Sequence, residues 1–290
     1  MATVQGGRRI SDSATTTSSR KWLDEVSREA KPRPSAMIIY GVPGVGKTSL
    51  AAHIPGVVFL CEQAEQGIHN LKDRGLVPDG VAVLPPATCW ADVLGMIDAL
   101  RTDPHDFKCV ALDALGGFER LCHEDVCRRD FNGDWTDKGF MGYMRGYEVS
   151  LADWRAFINS LDRLRDERNM SVLLLGHSKV SPFKNPEGPD YDRYNVDVHH
   201  KTWSLTHKWA DMVLFVNFEV VFGKGDEGKA KGKAKGGQNR VAYTEHHAAF
   251  DAKNRHNLPA EVELGQEGAA QAWAALSTAL KNGRKAGKAA

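Results

Sequence analysis

Three observations predict an α/β fold built on a mostly parallel sheet with helices on both faces. The octapeptide Gly41-Val42-Pro43-Gly44-Val45-Gly46-Lys47-Thr48 fits the G-x-x-x-x-G-K-[ST] phosphate-binding loop at every fixed position. Short, continuous apolar runs alternate with helix-periodic stretches between residues 37 and 176, the pattern of strands buried on both faces and joined by crossover helices. One of those runs ends on a carboxylate, Asp113, and ligands of such sheets gather outside the carboxyl ends of the strands. Past residue 210, two further runs can pair as a hairpin and add an antiparallel C-terminal extension.

A chain of 290 residues with ordinary apolar content can bury one large core. The formal net charge is only +1, so affinity for nucleic acid has to come from local patches. No apolar run reaches the ~18 residues that a membrane span requires, and no leader with an apolar segment is present; a cytoplasmic protein is expected. Five cysteines without a paired C-x-x-C framework suit reduced thiols. Cys122, His123 and Cys127 lack a fourth metal ligand, and the two cysteines read as helix-surface residues.

Residues 1–20 are rich in Ser, Thr and Gly and cannot offset their ordering entropy, which predicts a flexible tail over residues 1–32 with one short amphipathic helix at 22–29. Met37-Ile38-Ile39-Tyr40 is the strand entering the loop, and residues 48–54 form the helix leaving it. Gly41, Val42, Pro43, Gly44, Val45, Gly46, Lys47, Thr48 and Ser49 are thus the expected cradle for ATP, with Lys47 reaching the β- and γ-phosphates and Thr48 holding Mg²⁺. Val57-Val58-Phe59-Leu60-Cys61 is the second strand and ends on Glu62; Val81-Ala82-Val83-Leu84 is the third, followed by a helix over 90–100. The run from Phe107 to Asp113 delivers the second Mg²⁺ contact.

A helix is predicted over 118–129, a polar, Gly-rich excursion over 130–147, and a long amphipathic helix over 150–168. Ser171-Val172-Leu173-Leu174-Leu175-Gly176 is the fifth strand and runs into His177-Ser178-Lys179; residues 180–201 read as a long functional loop. Strands at 210–222 and 240–250 flank a flexible, lysine-rich tip at 223–239. A short strand near Val262 and a helix over 269–280 complete the plan of an ATPase core at 33–265 and a C-terminal helix with a basic tail at 266–290.

Ala114 follows Asp113, so the group that polarises the attacking water must come from another strand end, where Glu62 is the candidate and Glu65 competes. These residues resemble the RecA-type recombinase core, and more closely the phage-encoded P-loop NTPases reduced to that core, some of which anneal single strands. The likeness spans about residues 33–265. In that family the catalytic glutamate follows the second strand, as Glu62 does, and the metal strand ends in Asp and a small residue, as in Asp113-Ala114. His177 stands where the recombinases have a γ-phosphate-sensing Gln, and Lys253-Asn254-Arg255 looks like the basic finger that reaches a neighbouring subunit's phosphates. The resemblance implies a RecA-like fold, a homo-oligomer with ATP at its subunit interfaces, hydrolysis that depends on assembly, and the host cell cytoplasm as its location.

Single-strand binding needs cations that track phosphates and flat side chains on which bases stack. The excursion offers Lys138, Arg145, Phe140, Tyr143 and Tyr147; the later segment offers Lys179, Lys184, Arg193, Lys201, Phe183, Tyr191 and Tyr194, diluted by Asp190, Asp192 and Asp197. The leading expectation is an ATPase acting on single-stranded DNA in phage recombination, annealing or replication, with a single-strand-binding or replication protein as partner. Two alternatives stay open: a small-molecule kinase whose residues 180–201 close as a lid, and a nucleotide-dependent protein-binding module such as a helicase loader.

Overall fold

Every residue of Ala36–Gly41 (β1) is buried, and its side chains divide by parity, as a strand covered on both faces requires. Ile38 and Tyr40 enter one apolar cluster, Met37 and Ile39 the other. The computed structural model describes residues 33–222 and 234–289. The tail and short helix expected within residues 1–32, and the lysine-rich segment at 223–233, lie outside the described residues.

Val57–Cys61 (β2), Ala82–Val83 (β3), Cys109–Asp113 (β4), Ser171–Phe183 (β5) and Met212–Phe222 (β7) join β1 in parallel pairings. Tyr191–Val196 (β6) folds back antiparallel on β5. Ala234–Tyr243 (β8), Lys253–Asn254 (β9) and Glu261–Gly265 (β10) supply the antiparallel extension, and the order across the sheet is β10-β8-β7-β1-β5-β4-β2-β3.

Lys47–Ala52 (α1), Gly67–Asp73 (α2) and Ala269–Ala289 (α7) cover one face through Leu50, Ile68, Ala272 and Leu276. Trp90–Thr102 (α3), Leu115–Asp130 (α4), Arg145–Glu167 (α5) and His200–Trp209 (α6) lie on the other. Trp154, Phe157, Leu161 and Leu164 of α5 recur at helical spacing and are fully buried, each contributing about 1.5–3 kcal/mol of apolar transfer free energy. Among the described residues no helix is long and apolar enough to cross a membrane.

The structure departs from the sequence reading in four places. Residues 180–201 are not a loop: β5 continues to Phe183 and pairs with β6, so the segment is a hairpin leading into α6. The strand expected over 240–250 is Ala234–Tyr243 instead: β8 begins earlier, which shortens the expected tip, and ends at Tyr243, where Thr244 turns to bond the Pro259 and Ala260 carbonyls. Cys122 and Cys127 are not on the surface, because the face of α4 that carries them packs inward. α7 continues past Leu280, with Gly283 where a Cβ would sit 2.1 Å from the His256 carbonyl oxygen.

Candidate functional site

The parallel pairings bring several strand ends to one edge of the sheet. Gly41 is level with His177 of β5 and Val216 of β7, and Cys61 is level with Asp113. Gly41 is required there, since an added Cβ would lie 1.9 Å from the Val216 carbonyl oxygen. Gly44 and Gly46 take left-handed φ values of 78° and 93°, which turn the loop between β1 and α1. Lys47 is buried beneath that loop and donates from Nζ to the carbonyls of Gly41 at 3.0 Å and Val42 at 3.1 Å. Desolvation lowers its pKa, and the charges of Asp113 and Glu65 oppose the shift.

Thr48 Oγ1 donates to Asp113 Oδ2 at 2.7 Å, joining the two residues expected at Mg²⁺. Asp113 is 3 % exposed, and burial pushes its pKa up to about 6, against the pull of the Thr48 hydrogen bond, His177 and Lys47. A hydroxyl and a carboxylate at the mouth of a phosphate loop are hard oxygen donors. They fit a cation that takes one or two protein ligands and completes its shell with phosphate oxygens. The cost of burying the charge is the deficit that such a cation would fill.

Asp113→Asn keeps an oxygen for the Thr48 hydroxyl and removes the buried charge. A folded-state pKa raised from 3.8 to about 6 corresponds to at most about 3 kcal/mol. That contribution is fully present below pH 3.8 and is lost as pH rises through about 6, because the folded state disfavours the ionised form. The variant without nucleotide or Mg²⁺ is therefore expected to melt several degrees above wild type at pH 7–8, at ~2–4 °C per kcal/mol. The difference should vanish as pH falls toward 4, and equal melting temperatures at pH 8 would contradict the assignment.

The two candidate glutamates have different surroundings. Glu62 accepts from Arg120 Nη2 at 3.0 Å and from the Ala64 N–H at 3.1 Å, and a Cβ added to Gly117 of α4 would meet Glu62 Cγ at 2.3 Å. Glu62 is thus packed onto α4. Glu65 accepts from the Gly67 N–H at 3.1 Å, and Gly67 also lies beside the Thr48 hydroxyl. His177 Nε2 is 3.5 Å from Glu65 Oε2 and holds the Glu65 pKa below the usual carboxylate range. Glu65, His177, Lys47 and Asp113 form one electrostatic cluster.

An AAA-domain family model matches residues 33–256, most of the chain and all of the loop, metal-strand and finger positions. The chain belongs to this AAA-domain family. Its architecture is the RecA-like α/β fold of P-loop NTPases with an antiparallel C-terminal part. Among solved structures, the crystal structure of the RadB recombinase matches at 14 % identity and a TM-score of 0.43, over 81 % of this chain and 90 % of that one. No curated protein matches the sequence.

Other residues expected at function in this AAA-domain protein are spread over three places. Lys253 Nζ donates to the carbonyls of His207, Lys208 and Ala210, which caps the C-terminal end of α6 rather than leaving the amine free. Arg255 is exposed and reaches only to 4.0 Å from Asp211, on a turn that the Asn254 side chain fixes by accepting from the His256 and Leu258 N–H groups.

The two expected DNA segments meet. Tyr147 stacks on His199 at 4.4 Å between ring centroids, and Lys201 is paired with Glu148. Lys179 is paired with Asp197 at 3.0 Å, and Lys184 stands on the exposed end of the hairpin. Arg193, 12 % exposed and 3.7 Å from Asp251, ties the hairpin to the core. Lys138 and Arg145 remain exposed without a carboxylate within salt-bridge distance among the described residues. Between them Tyr143 and Met144 hold φ values of 50° and 59°, with Tyr143 fully exposed and Trp135, Met141 and Met144 also presented to solvent.

The sequence missed Arg240. No motif marks it; the pairing of β8 with β7, which lies beside β1, brings it to the phosphate loop, where its Nη1 is 3.2 Å from the position of a Cβ on Gly46.

Proposed function

We propose that this AAA-domain protein is a Mg²⁺-dependent ATPase that acts on single-stranded DNA in recombination, annealing or replication, encoded by a phage and working as an assembly in the host cytoplasm. The observation that carries the nucleotide half is the 2.7 Å hydrogen bond from Thr48 to Asp113 beside a glycine-turned loop with Lys47 beneath it. In this reading Lys47 leaves the Gly41 and Val42 carbonyls for the β- and γ-phosphates, and Thr48 and Asp113 hold Mg²⁺. When bound, Mg²⁺ supplies charge neutralisation across the phosphate oxygens. Glu65 orients the attacking water, and His177, level with Gly41, senses the γ-phosphate and leads into the hairpin.

The DNA half is supported by the excursion tip. An exposed Tyr143 between Lys138 and Arg145 combines a stacking surface with cations for phosphate, and the left-handed backbone at Tyr143 and Met144 is the kind of strain that concentrates at binding sites. The kinase alternative needed residues 180–201 to close as a lid. That stretch is instead a hairpin and helix bound to the core through the Tyr194 N–H to the Ala249 carbonyl at 2.8 Å.

The test is the rate of ATP hydrolysis against protein concentration, with and without single-stranded DNA. Specific activity is expected to rise steeply with concentration, and DNA to raise it severalfold, less so at high salt. A rate per subunit that is flat in concentration and indifferent to DNA would overturn the proposal.

A further inference from the structure

We infer that Arg240 is a second cation for the phosphate chain of a bound nucleoside di- or triphosphate, supplied by the same subunit from the antiparallel part of the sheet. The inference rests on the nucleotide reading of the loop and deepens it. Arg240 stands in β8, level with Phe218 of β7 and with Gly265 of β10. Its Nε donates to the Gly265 carbonyl at 3.0 Å and its Nη2 to the Glu267 carbonyl, so the guanidinium plane is fixed from behind by two backbone oxygens. The third nitrogen, Nη1, makes no hydrogen bond among the described residues. It lies 3.2 Å from the position that a Cβ on Gly46 would take, against the phosphate loop itself.

Electrostatics gives this arrangement a role. Lys47 shares its surroundings with Asp113 and Glu65, two carboxylates against one ammonium. A triphosphate brings several more negative charges into the same partly desolvated space, where each uncompensated charge is expensive. A planar guanidinium with two nitrogens already anchored loses little further freedom when its third meets a phosphate oxygen, which is the advantage of Arg over Lys at such a place. No carboxylate lies within salt-bridge distance of Arg240 among the described residues, where its partners are backbone carbonyls. Gly46 serves both ends: its φ of 93° turns the loop, and its missing Cβ leaves the guanidinium room to approach.

A clamp that only held the turn at residues 265–267 would have the same hydrogen bonds, and the experiment separates the two. The dissociation constants of ADP and of ATP, and the inhibition constant of inorganic pyrophosphate as their competitor, are measured for wild type, Arg240→Gln and Arg240→Lys. Pyrophosphate has no base or ribose, so it reports contact with the phosphates alone. Arg240→Gln is expected to weaken all three ligands about tenfold, the size of one charge-assisted hydrogen bond. Arg240→Lys, which keeps the charge and loses the fork on the turn, is expected to stay within about threefold of wild type for pyrophosphate. Pyrophosphate inhibition unchanged in Arg240→Gln, or equally weakened in Arg240→Lys, would overturn the assignment of Arg240 while leaving the nucleotide reading intact. Wild type that binds neither ADP nor pyrophosphate would overturn both. Should Arg240→Gln fail to fold, the Lys variant still decides, because a clamp role predicts that it loses as much for pyrophosphate as for ADP.

Discussion

Glu65→Gln is expected to lower the maximal rate of ATP hydrolysis about 10²-fold or more, whereas Glu62→Gln should leave it within about threefold. The two residues are three apart on one turn, in which the Glu65 N–H returns to the Glu62 carbonyl at 3.0 Å, and that turn sends their side chains to different neighbours. Glu62 is engaged by Arg120 and the Ala64 N–H, contacts that a Gln oxygen can still accept. Glu65 belongs to the group around Lys47, Asp113 and Thr48, and its depressed pKa, set first by the His177 hydrogen bond, keeps it ionised at neutral pH. An ionised carboxylate can accept a hydrogen bond from the attacking water; a Gln presents an amide in its place. His177→Ala should show the link to the cluster, because without the imidazole the pKa values of both Glu65 and Asp113 rise and the acid limb of the rate profile moves up in pH. The measurement is single-turnover hydrolysis with nucleotide affinity determined in parallel. Loss of turnover in Glu62→Gln with retention in Glu65→Gln would reverse the assignment.

That choice shows where sequence reading reaches its limit. The loop was legible because its chemistry is written in backbone terms, with glycines at fixed positions, and Asp113 was legible because an apolar run had to end on it. Which of two glutamates past β2 joins Lys47 and His177 depends on one turn and on Gly117, fifty-five residues downstream of Glu62, being small enough to receive the Glu62 stem. The hairpin β5–β6 reads as a loop in sequence because its residues are mostly half exposed or exposed and mix polar, aromatic and Pro residues, which removes the apolar signal. α6 was missed for a related reason. Its buried face is made by Thr202 and Thr206, and Thr206 is fixed in the core by the Trp154 indole N–H at 2.9 Å, a tertiary partner invisible to local pattern. Lys253 and Arg255 read as one basic finger, yet β9 ends at Asn254 and the turn fixed by the Asn254 side chain carries Arg255 away, while the proximity of α6 commits Lys253 to helix carbonyls.

Arg255→Ala is expected to reduce turnover about 10²-fold or more while leaving nucleotide affinity within about twofold, because in the proposed assembly the residue serves the phosphates of a neighbouring copy. β9 pairs with Met212 and Val213 at the start of β7, whereas the phosphate loop of the same subunit lies beside Val216. Three to four strand residues separate those levels, roughly 10 Å along the strand before the side chains are counted, and Arg255 points on from the far end. An arginine so placed serves its own loop poorly and an adjacent subunit's loop well, provided that copies pack head to tail. Mixing separates this from a local structural role. Arg255→Ala and Lys47→Ala subunits should each be inactive alone, and an equal mixture should recover up to about a quarter of wild-type turnover, the share of head-to-tail interfaces that keep both residues. A mixture no more active than its parts, with wild-type assembly in both variants, would remove Arg255 from the site.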